Sequence, residues 1–485
     1  MSVLEGLEPA SVFHFFEEIC KIPHGSGNEE QLSDYLKRFA MERDLFCIQD
    51  AAKNIVIVKE AAPGYEAEET LIIQGHMDMV AVKDEDCGID MRKEPLCLQT
   101  DGDYIFARGT SLGGDDGIAV AYLLAVLDDN EIAHPRLEAV ITVGEEVGMD
   151  GARALDCSVL QGRRMLNLDN EEEGILLTSC AGGVRADFIL PVMRETRTGR
   201  LLSLQVGGLT GGHSGMEIIK GGGNANCLMG RLFDALLKET KVSLVSLDGG
   251  LADNAIPRQA DAVLIIEEQE TEKAVSVVRD MEKKFRTELA QKDPDAFVSV
   301  SIAEEEREVN CLRADSMRKA SDCLLAVPNG VQAMSADVEG LVETSLNLGV
   351  LRLTEDTLEL SFAIRSSLDS AKEALCGKLC AVSSLAGADV AFRGDYPGWA
   401  YRQDSPLRDM MIRVYEKMYG RKPAIEAIHA GLECGLFAGK LPGLDCIAYG
   451  PDMKDVHTTR EALSISSVKS VWAYLLEVLK QKQEK

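Results

Sequence analysis

Hydrophobic and polar residues alternate along the first 180 positions with two periods, one typical of helices and one typical of buried strands. Apolar residues recur at helical spacing in NEEQLSDYLKRFAMER and in GIAVAYLLAVLDD. Short, mostly apolar runs predict strands between them, namely NIVIVKE, TLIIQGHMDMV, RLEAVITVGEEVG and RRMLNLDN. Parallel strands need helical crossovers of this length. We therefore predict an α/β domain with a mostly parallel sheet flanked by helices on both faces.

The pattern changes near residue 185, where strands and helices follow each other in a different order. Strands are predicted at LLSLQVGG, ADAVLIIEE and AFVSVSIAE, a helix at NANCLMGRLFDALLKE, and a hairpin at LGVLRLTEDTLELSFAIRS. Helix and strand patterns resume after FRGDYPGWAYRQDSP, which contains glycine and proline. We expect residues 1–184 and 391–485 to form one domain and residues 185–390 to form an inserted α+β domain.

Composition and charge exclude several classes of function. The chain has 485 residues, 46% of them hydrophobic and 27% charged, which suits a globular protein of two or three domains. The net charge is −29 and Lys and Arg form no cluster, so we expect no nucleic-acid partner. No run of about 18 apolar residues occurs, so we expect no membrane partner either.

The N-terminal segment and the cysteines bear on the compartment. Four glutamates interrupt the first eighteen residues, where the apolar core of a signal peptide would lie, so no export signal is expected. Thirteen cysteines without paired spacing suit free thiols in a reducing environment. We therefore predict a cytoplasmic protein without a cysteine-based zinc site.

Polar residues at the ends of predicted strands are the candidates for chemistry. His76 and Asp78 lie two positions apart, so on a strand both side chains would project from the same face. A single histidine on a strand is more often a core residue. A histidine with a carboxylate two positions later at a strand end can instead bind a metal with second-sphere support.

Further carboxylates follow the same rule. Asp115 and Asp116 come after glycines at the start of an apolar helix, where carboxylates also serve as helix caps. Glu145 and Glu146 end a predicted strand, and adjacent strand residues face opposite sides, so the two can have different roles.

Two more segments complete the set. A strand ends in Asp169, and a loop that contains His457 precedes a helix. Five apolar segments thus supply imidazole nitrogens and carboxylate oxygens, which suit Zn²⁺, Mn²⁺ or Co²⁺. A shared carboxylate can hold two such ions about 3.5 to 4 Å apart. The pattern predicts a metal site at the strand ends.

The motifs resemble, in order and spacing, the cocatalytic di-zinc metallopeptidases that include carnosinases and glutamate carboxypeptidases. Within that family they look like the PepD-type aminoacyl-histidine dipeptidases, or cytosolic non-specific dipeptidases. The resemblance covers nearly the whole chain and rests on GHMDMV, GTSLGGDDGIA, GEEVGMDGA, LNLDNEEEG, GGLTGGHSGMEI and DVHTTREAL. It implies a metallopeptidase that hydrolyses Xaa-His or other dipeptides. It also implies that residues 185–390 form a lid and dimerisation domain on a zinc peptidase-like catalytic domain.

The resemblance implies a ligand set for two Zn²⁺ ions per chain. His76, Asp115 and Asp169 would hold one ion, and His457, Asp115 and Glu146 would hold the other. Mn²⁺ or Co²⁺ in place of zinc stays open.

The resemblance also implies roles for residues around the metals. Asp78 would orient His76, Glu145 would be the general base towards a bridging water, and His213 would stabilise the oxyanion after closure of the lid. Relatives often have asparagine where Asp116 follows the bridging aspartate. Which of the two adjacent carboxylates bridges therefore stays open, and we favour the first.

Other residues are candidates for binding the substrate. Asn254 and Arg365 could bind the peptide carbonyl and the C-terminal carboxylate, since a guanidinium donates two parallel hydrogen bonds to a carboxylate. Glu433 could bind the free amine, and His429 is expected to be structural. For Asn254, Arg365 and Glu433, a surface or structural role is an equal alternative.

Two other functions stay open. A deacylase of N-acyl amino acids would use the same metals, and a metal-binding scaffold would keep the fold without the reaction. Recognition of a free amine separates the deacylase from a dipeptidase. A homodimer also stays open, and with it whether His213 acts in its own chain or across the dimer.

Overall fold

The computed structural model describes residues 3–482. Eleven α-helices lie within that range. They are α1 (Ala10–Cys20), α2 (Glu30–Glu42), α3 (Gly114–Asp128), α4 (Asp150–Ala154), α5 (Ala225–Glu239), α6 (Thr271–Glu288), α7 (Ala314–Ala326), α8 (Asp369–Ala386), α9 (Pro406–Tyr419), α10 (Glu433–Lys440) and α11 (Ile465–Leu479).

Twenty-three strands lie within the same range. They are β1 (Phe46–Gln49), β2 (Ile55–Lys59), β3 (Leu71–His76), β4 (Leu98–Asp101), β5 (Tyr104–Ala107), β6 (Leu137–Thr142), β7 (Arg164–Asn167), β8 (Ile175–Cys180), β9 (Gly182–Pro191), β10 (Arg194–Gly207), β11 (Gly212–His213), β12 (Ser243–Gly249), β13 (Ala255–Ile256), β14 (Ala260–Ile266), β15 (Phe297–Leu312), β16 (Gly330–Met334), β17 (Val342–Leu353), β18 (Thr357–Ser366), β19 (Asp389–Tyr396), β20 (Ala424–Ile428), β21 (Asp445–Ala448), β22 (Met453–Lys454) and β23 (Ala462–Ser464).

The chain folds into two compact units. Unit 1 contains the chain up to Ser179, then Trp399–Ala427, and the chain from Leu432 onward. Unit 2 contains Cys180–Gly398 and the short segment Ile428–Gly431. The chain therefore leaves unit 1 at the end of β8 and returns to it before α9. Strand β21 lies between β7 and β8 in the sheet of unit 1.

Unit 1 is built on an eight-stranded sheet in the order β1-β2-β6-β3-β7-β21-β8-β20. The four central strands, β6, β3, β7 and β21, are parallel to one another. The α/β prediction is confirmed, and the sheet is mixed, because β1 pairs antiparallel with β2, β2 with β6, and β8 with β21. The connection from β1 to β2 is short, and a short connection can join antiparallel strands only.

The core of unit 1 explains why these segments fold as they do. Every residue of β2, β3 and β6 is buried, as expected for strands covered on both faces of a sheet. Helix α3 is apolar on all sides and buried from its first residue to Leu127, which makes it a core helix. Its Tyr122 hydroxyl donates a 2.9 Å hydrogen bond to the carbonyl of Val468 in α11.

The register of the central strands brings their carboxyl ends together. His76 at the end of β3 lies opposite Thr142 at the end of β6. Gln74, two residues earlier in β3, lies opposite Asn167 at the end of β7. Loops that follow the carboxyl ends of parallel strands meet at one edge of a sheet, where ligands commonly bind.

Unit 2 is built on a nine-stranded sheet in the order β15-β10-β14-β12-β17-β18-β9-β19, with β16 paired to β17. The predicted hairpin is present as β17 and β18, which pair antiparallel. Helices α5, α6, α7 and α8 contribute side chains to its hydrophobic core, among them Phe233, Phe285, Leu324 and Leu379. No helix within residues 3–482 has both the length and the hydropathy that a membrane span requires.

The close approach of β3 to α3 requires a glycine at position 75. A Cβ atom there would lie 2.6 Å from Asp116 Oδ2 and 2.7 Å from Ala119 Cβ. We expect Gly75→Ala to lower the free energy of unfolding by about 1 to 3 kcal/mol through overpacking. Gly377→Ala is the control, because a Cβ at this exposed helical position meets nothing within 4 Å. That change should be neutral or stabilising by up to about 1 kcal/mol.

Urea unfolding of the two variants, prepared without added metal, measures the difference. Equal midpoints for the two variants would contradict the packing argument.

Candidate metal centre

His76 is the last residue of β3 and is almost completely buried. Its Nδ1 lies 3.0 Å from the carbonyl oxygen of Asp78 and 3.5 Å from Asp78 Oδ1. The strand ends before Asp78, so the expectation that both residues lie on one face of a strand is wrong. The contact between them forms nevertheless. An Nδ1 proton donated to Asp78 leaves Nε2 free to bind a metal.

Asp78 connects His76 to the loop that follows β6. Its carboxylate accepts hydrogen bonds from the backbone N–H groups of Glu145 at 3.0 Å and Glu146 at 3.3 Å, and from the Ser26 hydroxyl at 2.9 Å. Although burial opposes it, the hydrogen bonds with His76 and with these donors hold the pKa of Asp78 below its usual value. The buried carboxylate of Asp78 therefore fixes both the imidazole of His76 and the backbone of Glu145 and Glu146.

The pair Glu145 and Glu146 lies in a turn and not on a strand, which corrects the sequence-based expectation. Strand β6 ends at Thr142, and Gly144 adopts a left-handed conformation with φ of +63°. Glycine adopts this conformation without the steric cost that a Cβ atom brings. The turn that results points the backbone N–H groups of both glutamates at Asp78.

Asp115 lies between the two histidines. Its Oδ1 is 3.1 Å from His76 Nε2, and its Oδ2 is 3.1 Å from His457 Nε2. His457 Nε2 also lies 2.8 Å from Glu146 Oε1. Despite burial, the hydrogen bonds with the two imidazoles hold the pKa of Asp115 well below its usual value. A carboxylate with one oxygen at each imidazole has the arrangement of a bridging metal ligand.

Asp116 occupies a different environment from its neighbour. Its Oδ2 accepts a 3.1 Å hydrogen bond from the backbone N–H of His76, and its Oδ1 has no hydrogen-bond partner among the residues described. The carboxylate of Asp116 lies within 4.8 Å of a ring nitrogen of His76, whereas that of Asp115 contacts both histidines. The geometry therefore favours Asp115 as the bridging carboxylate, and the choice stays a prediction.

The ligand atoms form three groups in which all members lie within 4.8 Å of one another. They are His76, Asp116 and Asp169; His76, Glu145 and Glu146; and Asp115, Glu146 and His457. The last group is the second predicted zinc set. In the first predicted set, His76 Nε2 lies 3.1 Å from Asp115 Oδ1 and 4.0 Å from Asp169 Oδ1.

The chemistry of the donors fits divalent cations. Burial, together with neighbouring carboxylates, raises the pKa of Asp169 to about 8 and raises the pKa values of Asp116 and Glu145 well above their usual range. The three groups contain five carboxylates and two imidazoles. Two divalent cations would supply the positive charge that allows more of these carboxylates to ionise.

Glu461 supports Asp115 and was not predicted. It is buried, its Oε1 accepts a 2.7 Å hydrogen bond from the N–H of Gly114, and its Oε2 accepts a 3.0 Å hydrogen bond from the N–H of Leu112. The N–H of Asp115 lies 3.5 Å from the same Oε1. Glu461 thus fixes the turn that leads into α3. A glutamate four residues after His457 carries no signal of this role, because its partners are backbone groups.

A second buried network lies at the ends of β3, β6 and β7. Glu433 is completely buried, and its Oε2 accepts hydrogen bonds from Gln74 Nε2 at 2.5 Å and from Thr142 Oγ1 at 2.7 Å. Asn167 Nδ2 donates a 2.6 Å hydrogen bond to Gln74 Oε1. Burial raises the pKa of Glu433 to about 7. Its Oε1 has no hydrogen-bond partner within residues 3–482, and a contact with a substrate amine stays a prediction.

Unit 2 brings its own candidate residues together. His213 pairs with Ala255 between β11 and β13, and the carbonyl of Asn254 accepts a 2.8 Å hydrogen bond from the N–H of Ser214. Arg365 Nη2 lies 3.4 Å from His213 Nε2. The predicted oxyanion-stabilising residue His213 therefore lies near the two predicted substrate-binding residues Asn254 and Arg365 within this unit.

Hydrogen bonds select the tautomer of His213. Its Nδ1 accepts 3.3 Å hydrogen bonds from the N–H groups of Gly215 and Met216. Burial and the nearby Arg365 lower the pKa of His213, so the ring is neutral at neutral pH and carries its proton on Nε2. Nε2–H and the guanidinium then form a pair of adjacent donors, which suits a negatively charged oxygen.

His429, which is expected to be structural, lies in the interior of unit 2, and its role stays a prediction. It is buried, and its Nε2 lies 2.7 Å from the Ser345 hydroxyl. Burial, together with the charge of Arg365, lowers the pKa of His429 to about 3. The ring is therefore neutral and contributes to the interior of unit 2.

Asp293 closes the glycine-rich segment that contains His213. Asp293 is buried and accepts a 2.7 Å hydrogen bond from the N–H of Thr210 and a 2.6 Å hydrogen bond from the N–H of Gly223. One carboxylate thus joins the two ends of the segment 210–223. This contact has no signature in the sequence, since Asp293 lies in an ordinary polar loop 80 positions after His213.

The chain is similar to known proteins over nearly its whole length. The model of Peptidase family M20/M25/M40 matches residues 72–481. The chain is 38% identical over 484 residues to the cytosol non-specific dipeptidase of Escherichia coli strain K12, with 99% of each chain covered. The crystal structure of aminoacylhistidine dipeptidase from Vibrio alginolyticus has a TM-score of 0.93 at 37% identity, covering 99% of this chain and 98% of that one. The aminopeptidase PepT of Bacillus cereus, at a TM-score of 0.59, 15% identity and 98% coverage of both chains, is similar in fold alone.

The role of Asp293 can be tested without an activity assay. Asp293→Ala leaves two N–H groups without acceptors, and an unmade buried hydrogen bond costs about 1 to 3 kcal/mol. We therefore expect amide hydrogen exchange in 210–223 to accelerate about tenfold or more, while exchange in α5 stays unchanged. Asp295→Ala is the matched control, because Asp295 is exposed and two residues away. Equal exchange in the two variants would show that Asp293 does not hold the segment 210–223 in place.

Proposed function

The chain belongs to peptidase family M20/M25/M40, and on this basis we propose that it is a dipeptidase that requires two divalent cations. The observation that carries the proposal is the position of Asp115, with one carboxylate oxygen 3.1 Å from His76 and the other 3.1 Å from His457. A two-metal peptidase needs such a shared ligand between two imidazoles.

The proposed ligands divide into two sets. His76, Asp115 and Asp169 hold one ion, and His457, Asp115 and Glu146 hold the other. Imidazole nitrogens and carboxylate oxygens suit Zn²⁺, and the same donors accept Mn²⁺ or Co²⁺. We propose zinc as the ion and take reconstitution of the metal-free protein with each of the three as the test.

Bound cations of this kind polarise a peptide carbonyl and lower the pKa of a water molecule to near neutrality. Glu145 then has the role of the general base. It accepts the proton of the attacking water and delivers it to the nitrogen of the leaving amine, a role that is typically worth about 10² to 10⁴ in rate. Asp78 holds the backbone of Glu145 at 3.0 Å and thereby positions this base.

Residues of unit 2 have proposed roles towards the rest of the substrate. His213 donates its Nε2 proton to the oxyanion that forms at the scissile carbon. Arg365 binds the C-terminal carboxylate through its two parallel donors, and Asn254 binds the peptide carbonyl. The 3.4 Å distance between Arg365 Nη2 and His213 Nε2 supports roles towards neighbouring groups of one small substrate.

Dipeptides are the proposed substrate class. The E. coli relative carries the name of a non-specific dipeptidase and the Vibrio relative that of an aminoacylhistidine dipeptidase. Both names describe enzymes that cleave dipeptides, and they differ in the residue preferred. A panel that includes Xaa-His and other dipeptides decides between broad and histidine-directed specificity.

Glu145→Gln tests the central catalytic role. The change keeps the size of the side chain and removes the base, so we expect kcat to fall at least about 100-fold while the metal content stays at two ions per chain. Glu146→Gln is the matched control at the next position. Because Glu146 contacts His457 at 2.8 Å, that variant should lose metal instead.

Metal analysis and steady-state kinetics on the same preparations separate the two effects. Near-normal turnover in Glu145→Gln would refute the assignment of the base.

A deacylase of N-acyl amino acids is the competing function, since the same centre hydrolyses either amide. Comparing an unblocked dipeptide with its N-acetyl form distinguishes them. A dipeptidase should prefer the free amine, whereas a deacylase should prefer the blocked form. Failure of the zinc-loaded protein to cleave either class would favour a metal-binding scaffold.

A further inference from the structure

A cavity of about 600 Å³ opens in unit 1 beside Glu146. We propose that this cavity is the subsite for the side chain of the substrate's N-terminal residue, and that it accepts apolar side chains of varied size. The inference rests on the proposed dipeptidase function and adds to it the site of one side chain. The cavity is called the Val147 pocket below, and it is defined by the lining residues Ser26, Met79, Ile89, Met91, Glu146 and Val147.

The Val147 pocket lies beside the candidate metal centre, because Glu146 belongs to both. Glu146 lines it and also contacts His457 at 2.8 Å. Ser26 lines it as well, and its hydroxyl donates a hydrogen bond to Asp78. A group that enters the pocket therefore lies next to residues that position both the proposed metals and the proposed base.

The walls of the pocket are largely apolar. Met79, Ile89, Met91 and Val147 contribute to them. Val147, which directly follows the two glutamates of the site, is 66% exposed. Its side chain is therefore accessible to a bound ligand. Methionine side chains adapt to ligands of different shape, because they are unbranched and polarisable. Such walls favour apolar groups and tolerate variation in their size.

Charged groups at the rim give the pocket no net charge. Lys83 and Arg92 line it together with Asp90 and Glu146, so two positive groups face two negative groups. Because residues of both signs are present, the lining does not single out a side chain of one charge. Selection in the pocket therefore depends on apolar contact and volume.

One wall of the pocket is formed in advance by hydrogen bonds. Lys83 Nζ donates to the carbonyl of Ile89 at 2.8 Å, and Asn28 Nδ2 donates to the carbonyl of Arg92 at 3.2 Å. The N–H of Arg92 donates to Asp90 Oδ1 at 3.1 Å. These contacts fix the backbone of 89–92, so a bound side chain does not have to order this loop.

The N-terminal residue is the part of the substrate that remains for unit 1. The groups proposed for the C-terminal carboxylate and the peptide carbonyl, Arg365 and Asn254, belong to unit 2. The pocket beside Glu146 belongs to the unit that contains the proposed ligands and base. Of the two side chains of a dipeptide, we assign the N-terminal one to this pocket.

The test fills the pocket and compares reversed dipeptides. Val147→Trp places an indole in the cavity, and kcat/KM is measured for Leu-Gly, Gly-Leu and Gly-Gly. We expect kcat/KM for Leu-Gly to fall at least about tenfold, with changes under about threefold for the other two. Val159→Trp is the matched control, because Val159 is also partly exposed in unit 1 but does not line the cavity. It should leave all three values unchanged.

A second variant removes a wall instead of filling the space. Met91→Ala deletes apolar contact, so kcat/KM for Leu-Gly should fall about threefold to tenfold while Gly-Gly is unaffected. Because this change creates room, it does not share the steric risk of the tryptophan.

The outcomes distinguish the subsite from the function it rests on. An equal or larger loss for Gly-Leu, or unchanged Leu-Gly cleavage in both variants, would overturn the subsite while leaving the dipeptidase in place. If wild-type protein loaded with zinc cleaved none of the three dipeptides, the proposed function would fall, and the subsite with it.

Discussion

The carboxylate of Asp115, held between two imidazoles, is the interaction on which the rest of unit 1 depends. His76 comes from the end of a central strand, and His457 comes from a loop 342 positions after Asp115 in the chain. Each approaches a different oxygen of the same side chain. The carboxylates around this contact outnumber the two imidazoles that could neutralise them. The site therefore favours bound cations, which would also hold these distant segments of the chain together.

Most of the supporting structure acts through backbone N–H groups. Asp78 receives the N–H groups of the Glu145–Glu146 turn, and Glu461 receives those that precede α3. Asp293 does the same in unit 2 for the segment that contains His213. A carboxylate that binds two N–H groups fixes the direction of a turn, and the adjacent side chain is then positioned without a contact of its own. Buried acids that are not themselves proposed ligands thus determine the geometry of those that are.

The sequence predicted the parts of the site that depend on side-chain identity and on periodicity. His76, Asp115, Glu146 and His457 were expected at strand ends and helix starts, and the structure brings them together. The α/β class followed from helices that alternate with apolar strands. The exact strand ends did not follow, because the turn at Gly144 ends β6 before Glu145 and periodicity does not mark a single terminal residue. Glu461 and Asp293 were missed for a different reason, since their partners are backbone groups that have no signature in sequence.

Asp115 as the ligand shared by two metal ions is the central claim, and a crystal structure of the protein loaded with zinc tests it most directly. Anomalous diffraction measured at the zinc absorption edge locates the ions independently of the model phases. The account predicts two peaks about 3.5 to 4 Å apart, each within coordination distance of a different Asp115 oxygen, one beside His76 and the other beside His457. A single peak, or a pair of peaks bridged by another residue while Asp115 binds neither ion, would contradict it.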